Sequence, residues 1–184
     1  ANGTGGVGGT DGADGDNQDT VTDNPLKIVE SGWSADQQGY VHYAFALRNT
    51  SKTQQVQYPQ ITITGRAKDG SIVFSQTQAL NMAFPNQTVY NAGQAGQGTA
   101  PATVDLVALS PNEYNVTEAQ GTATFPISGI SKVRNNDGGT TFNGEVRAVT
   151  DGFKPSDGQQ IKVSLVLRAK QGTIIYGEMA FVAW

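Results

Sequence analysis

The chain has 184 residues, 15% of them charged, with 12 Lys and Arg against 16 Asp and Glu for a formal net charge of -4. Scattered basic residues argue against nucleic acid as a partner, because phosphate binding needs clustered positive charge. The absence of Cys excludes disulfides, thiolate catalysis and Cys-ligated zinc, and no apolar run approaches the roughly 20 residues that a membrane-crossing helix requires.

Residues 1–24 are Gly, Asp, Asn and Thr with almost no apolar side chain. Such a segment buries too little surface to offset its ordering entropy and is predicted to be a disordered tether. The acidic run Asp11-Gly12-Ala13-Asp14-Gly15-Asp16 lacks the alternating oxygen ligands and distal Glu of a calcium loop. The glycines at 5, 6, 8 and 9 have neither the preceding strand nor the following Gly-Lys of a phosphate loop. No signal peptide opens the chain, so the protein is expected to be either cytoplasmic or exported with its targeting segment removed.

From Leu26 onward the pattern is β. Strands are predicted over 26–33, 40–48, 61–67, 72–80, 88–92 and 103–109, separated by short polar or Gly-containing turns, which is a sandwich signature. The pattern then restarts: 130–133, a turn at Asn135-Asn136-Asp137-Gly138-Gly139, and strands over 142–149, 161–169 and 173–184. Residues 25–78 align with 127–180 without a gap. The strongest match sets Arg66-Ala67-Lys68-Asp69-Gly70-Ser71-Ile72 against Arg168-Ala169-Lys170-Gln171-Gly172-Thr173-Ile174. This duplication predicts two related β-modules, 25–110 and 124–184. The second lacks counterparts of 88–92 and 103–109 and would carry an open edge, unless the chain is cut from a longer one, the copies merge into one larger sandwich or a partner supplies the strands. The expectation is a normal C-terminus with the copies packed closely.

Leu47-Arg48-Asn49-Thr50-Ser51, the alternating Ile61-Thr62-Ile63-Thr64 and the Lys68-Asp69-Gly70-Ser71 hairpin resemble the FxLYD family of immunoglobulin-like modules. In that family a strand ending in Asn-Thr or Asn-Ser leads to an alternating strand and an Asp-Gly hairpin. The naming motif is degraded here to Ile63, Gly65, Arg66 and Ala67 in the first copy and to Leu165, Leu167, Arg168 and Ala169 in the second. The resemblance implies an all-β protein of tandem immunoglobulin-like antiparallel sandwiches behind the tether, set at a bacterial surface as in lipoproteins, without a shared catalytic residue.

His42 is the single histidine, so any Ser-His-Asp triad or His metal site would have to be built on it. Asp105, Glu113, Glu118, Glu145, Asp151 and Glu178 could supply an acid/base pair, but sequence alone brings no two of them together. Two registers compete for 41–47. If Ala44 and Ala46 face inward, Tyr43 and Phe45 form an exposed aromatic face to which Tyr58 can contribute, a candidate ligand-binding surface. If the register slips by one, Tyr43, Phe45 and Leu47 fill the core; in a third arrangement the aromatic face packs against the second copy. Trp33 and Trp184 are expected in core or interdomain positions.

The resulting expectation is a non-enzymatic, exported binding or spacer module without cofactor or metal, lipid-anchored at the bacterial cell surface. Its partner would be a surface protein or glycan, it would touch membrane only through an anchor upstream, and homo-oligomer formation stays open. The alternatives are a carbohydrate-binding accessory module or weak glycan-active enzyme, and a protein that assembles by strand exchange through the incomplete second module.

Overall fold

The computed structural model describes residues 24–151 and 160–183. Residues 1–23 of the tether expected over 1–24, residues 152–159 and Trp184 lie outside them. The described chain is all-β, its strands gathered in several small antiparallel sheets.

Strands β1 (Leu26–Ala35), β2 (Val41–Asn49), β3 (Gln54–Gln57), β4 (Gln60–Arg66), β5 (Ile72–Ala79), β6 (Met82–Ala83), β7 (Thr88–Ala95) and β8 (Thr103–Ala108) build the first region. One sheet has the order β1-β2-β7 and another β5-β4-β8. Alternation places Tyr43, Phe45 and Leu47 of β2 on one face, where they share a buried cluster with Ile61 and Ile63 of β4. The two sheets therefore face each other across a sandwich core. A sheet of order β6-β3-β9, completed by β9 (Val116–Glu118), contributes Val56 and Ala83 to the same cluster. Each fully buried side chain of this size contributes on the order of 1.5–3 kcal/mol.

At the end of β2 the chain turns on Asn49, which is fully buried. Its amide nitrogen donates to the carbonyls of Gln54 (2.9 Å) and Ala83 (3.0 Å), and its Oδ1 accepts from Ser51 N (3.0 Å). One side chain thereby closes the loop from β2 into β3 and leaves few buried polar groups without partners.

Strands β10 (Thr122–Thr124), β11 (Ile127–Arg134), β12 (Thr140–Val146), β13 (Val149–Asp151), β14 (Gln160–Arg168) and β15 (Ile174–Ala183) follow. They pair as β10-β13, β11-β12 and β14-β15, three sheets of two strands each. The strand order of the first copy is repeated, but the expected second pair of facing sheets over 124–184 is not what these strands form. Instead the β14-β15 hairpin lies on the outer face of the β1-β2-β7 sheet. Ile174 and Val166 join Ala44 and Ala92 in a second buried cluster.

Small residues make this close approach feasible. Cross-strand pairing sets Gly32, Ala44 and Ala92 in one row across the outer face. A Cβ on Gly32 would stand 2.8 Å from the Ile174 Cβ, and one on Gly177 would stand 2.7 Å from the Ala44 Cβ. Positions 174 and 177 thus meet β1 and then β2, so β15 runs across the strands rather than along them. The result is three layers, with β2 in the middle and covered on both faces.

The duplicated Arg-Ala-Lys-x-Gly segment has a local meaning. Ala67 N donates to Ser71 O and Gly70 N to Ala67 O, and the same two bonds recur at Ala169/Thr173 and Gly172/Ala169. Both glycines have positive φ, 86° and 93°, as a three-residue hairpin loop with a bulge requires. Asp36 to Tyr40 and Asn135 to Gly139 adopt the same pattern. The repeat is therefore strongest where one turn solution is reused.

Candidate functional site

The register that puts Tyr43, Phe45 and Leu47 in the core describes β2, whose other face is covered too. Tyr43 is 3% exposed and Phe45 fully buried, which corrects the expectation of an exposed aromatic face. Ala44 and Ala46 are buried as well, on the side of the β14-β15 hairpin. Tyr43, Phe45 and Tyr58 do not converge. Phe45 belongs to the core, Tyr43 reaches one surface cleft with its hydroxyl, and Tyr58 lines another.

His42 sits in the outer-face row below Ala44 and is met by the hairpin. Its ring stacks on Tyr176 at 4.8 Å between centroids. Nδ1 lies 3.2 Å from Glu178 Oε2, and Nε2 lies 3.4 Å from Asp36 Oδ2. The Tyr176 hydroxyl donates to Glu178 Oε2 at 2.8 Å, and burial followed by this bond pushes its pKa up to about 12. Nδ1 is buried and makes no hydrogen bond despite this proximity, so the imidazole joins β2 to β15 through its stack on Tyr176. This grouping was invisible in sequence, where Glu178 lies 136 positions from His42.

A second polar junction lies on the next row but one, where Glu30, Ala46 and Tyr90 are cross-strand neighbours. Arg168 spans them. Both its terminal nitrogens donate to the Glu30 carboxylate, Nη2 also reaches the Tyr90 hydroxyl at 3.3 Å, and Nη1 donates to Gly172 O at 2.7 Å. The guanidinium lies 5.6 Å from the Tyr90 ring centroid. These hydrogen bonds from Arg168 hold the Glu30 carboxyl below its ordinary 4.5.

The carboxylates considered for an acid/base pair go to separate places. Asp105 pairs with Arg66 at 3.3 Å, Glu118 accepts from Thr53, and Glu178 belongs to the His42 cluster. Among the described residues no three His, Asp or Glu side chains are grouped to hold a metal ion.

Two clefts remain. The first, about 390 Å³, opens beside β5 and β7 and is lined by Tyr43, Gln76, Gln78, Gln94 and Met179 among others. Its amides are partly committed, since Gln78 Oε1 accepts from the Tyr43 hydroxyl (3.0 Å) and Gln76 Oε1 from Gly96 N (3.1 Å). Burial pushes the Tyr43 hydroxyl up to about 12. The second, about 320 Å³, is lined by Tyr58, Gln60, Ser110, Pro111, Asn112 and Asn115. Sequence reading singled out Tyr58 alone of these, because the amides acquire a shared place only when 110–115 returns beside the start of β4.

The β11-β12 hairpin is a third surface. Among the described residues its strands pair only with each other, and Ile127, Ile130, Val133 and Phe142 are all exposed. Ile127 and Ile130 approach Gly144 from one face, and alternation along β12 puts Phe142 and Val146 on that face too.

No family model matches the chain, and no curated protein or solved structure matches it either.

Proposed function

We propose that this chain is a non-enzymatic binding module of the bacterial cell surface, working through the apolar face of the β11-β12 hairpin. The observation that carries the reading is the exposure of that face: Ile130 is 70% exposed on a hairpin that no third strand extends among the described residues. Isolated two-stranded hairpins are marginal in water, and exposed apolar groups gathered on one face mark interaction surfaces. The occupant that suits it is an apolar protein surface offering a strand edge, since the hairpin carries unpaired strand edges beside its apolar side chains.

The rest of the molecule suits a holder. The β1-β2-β7 and β5-β4-β8 sheets support an immunoglobulin-like reading of 25–110, and the docked β14-β15 hairpin stiffens it. The Gly- and Asp-rich composition of 1–24 supports export and anchoring through a lipid upstream. The test is photo-crosslinking from position 130 on intact bacterial cells, with exposed Ile72 of β5 as the control position. Products confined to position 130 support the reading, and equal yields from both positions sink it.

Self-assembly by strand addition is the second reading, favoured by the outer edge of β8. Leu109 N bonds Gln60 O on the β4 side, so the Val104 and Leu106 backbone groups point outward. No strand covers them among the described residues. Concentration-dependent oligomers in light scattering would favour this reading, and a monomer at all concentrations would remove it.

A further inference from the structure

The cleft beside Tyr58 is built from different elements than the hairpin surface, and its chemistry is distinct. Tyr58 holds its backbone at φ 50°, a left-handed conformation that bulky side chains rarely adopt. Two bonds fix it there, Tyr58 N to Asn81 O (3.0 Å) and Leu80 N to Pro59 O (2.9 Å). The consequence is an aromatic ring 61% exposed at the mouth of a polar cleft. Strain of this kind persists only where the surroundings enforce it.

Across the cleft, the segment 110–115 presents amides. Asn112 Oδ1 accepts from Tyr114 N (3.0 Å) and Asn112 O from Asn115 N (2.9 Å), which leaves the Asn112 amide nitrogen as the donating end. No hydrogen bond within the described residues occupies the side-chain amides of Gln60 or Asn115. A second ring, Tyr114, stands between the two asparagines in sequence and is 83% exposed. No charged side chain lines the cleft.

We infer that this cleft is a binding site for a neutral carbohydrate. An exposed tyrosine ring offers an apolar face to the C–H face of a pyranose and a polar tip to solvent. Side-chain amides both donate and accept, as hydroxyl groups do. The lack of charge disfavours phosphorylated, sulfated or uronic ligands. A peptide strand is disfavoured because it needs free backbone donors and acceptors. Pro59 and Pro111 have no N–H, and the Pro59 and Gln60 carbonyls already accept from Leu80 and Leu109.

The test is titration of the full ¹⁵N-labelled chain with hexasaccharides of glucose, mannose and N-acetylglucosamine, following the side-chain amide resonances of Gln60, Asn112 and Asn115. At least one sugar should shift these resonances. Tyr58→Gly and Tyr58→Asn, both of which tolerate the backbone conformation, should weaken that binding at least tenfold without lowering the melting temperature. The inference is overturned if none of the three sugars moves the amides, if both variants bind as the parent does, or if only a neutral tripeptide shifts them.

Discussion

Gly177 crosses directly above Ala44, so closely that a Cβ added to the glycine would lie 2.7 Å from the alanine Cβ and would also meet the Tyr43 carbonyl. Replacing Gly177 by Val should therefore lift the β14-β15 hairpin off the β1-β2-β7 sheet. Overpacking of this kind typically costs about 1–3 kcal/mol. Hydrogen exchange should quicken in 160–183 while β2 and β4 stay protected, because their shared core lies on the other face of the sheet.

Much of the sandwich was legible because its signals are local. Hairpin turns ending in Gly70, Gly138 and Gly172 fall where the sequence puts them, and the Asn49-Thr50 strand end closes a buried corner. Close packing of the copies follows from the incomplete second one, but the faces through which β14-β15 docks were not legible. Tyr43 and Phe45 alternate with Ala44 and Ala46, and a strand covered on both faces gives no period from which to choose an inside. Val163, Leu165 and Leu167 alternate along β14 as the apolar side of a strand, yet it is Val166, Gly177 and Ile174 that meet the first sheet. Gly32 and Gly177 read as weak strand positions until the close crossing explains them.

Acid should loosen the hairpin first. The Glu30 carboxyl, held below 4.5 by its hydrogen bonds from Arg168, supplies stability that is present above 4.5 and lost as pH falls through its lower folded value. A Glu30→Gln variant should show a flatter melting temperature as pH falls below 4.5. An unchanged acid slope would separate the Arg168 contact from hairpin docking.

Alkali should act through buried tyrosines. Tyr43 titrates at about 12 in the folded chain against an ordinary 10.0, because burial disfavours the phenolate. A raised folded value means stability fully present below the unfolded value and lost as pH rises toward the folded one. Melting temperature should fall as pH climbs from 10.0 toward 12, and Tyr43→Phe should reduce that fall. The same substitution removes the hydrogen bond to Gln78, so the variant should be less stable at neutral pH.

Asn49→Ala should be among the most damaging single changes. It removes two donors and one acceptor at the β2-β3 corner, taking partners from the Gln54 and Ala83 carbonyls and from Ser51 N. Each buried polar group left unsatisfied costs about 1–3 kcal/mol, so denaturant midpoints should fall well below those of an Ala substitution at exposed Ile72.

The three-layer arrangement is tested most directly by nuclear Overhauser contacts in the full chain. The account predicts contacts from Gly177 Hα to the Ala44 methyl group and from the Tyr176 ring to the His42 ring. Contacts of Val163, Leu165 and Leu167 with β11-β12 side chains, with no signal at Ala44, would instead show a separate second sandwich and contradict the account.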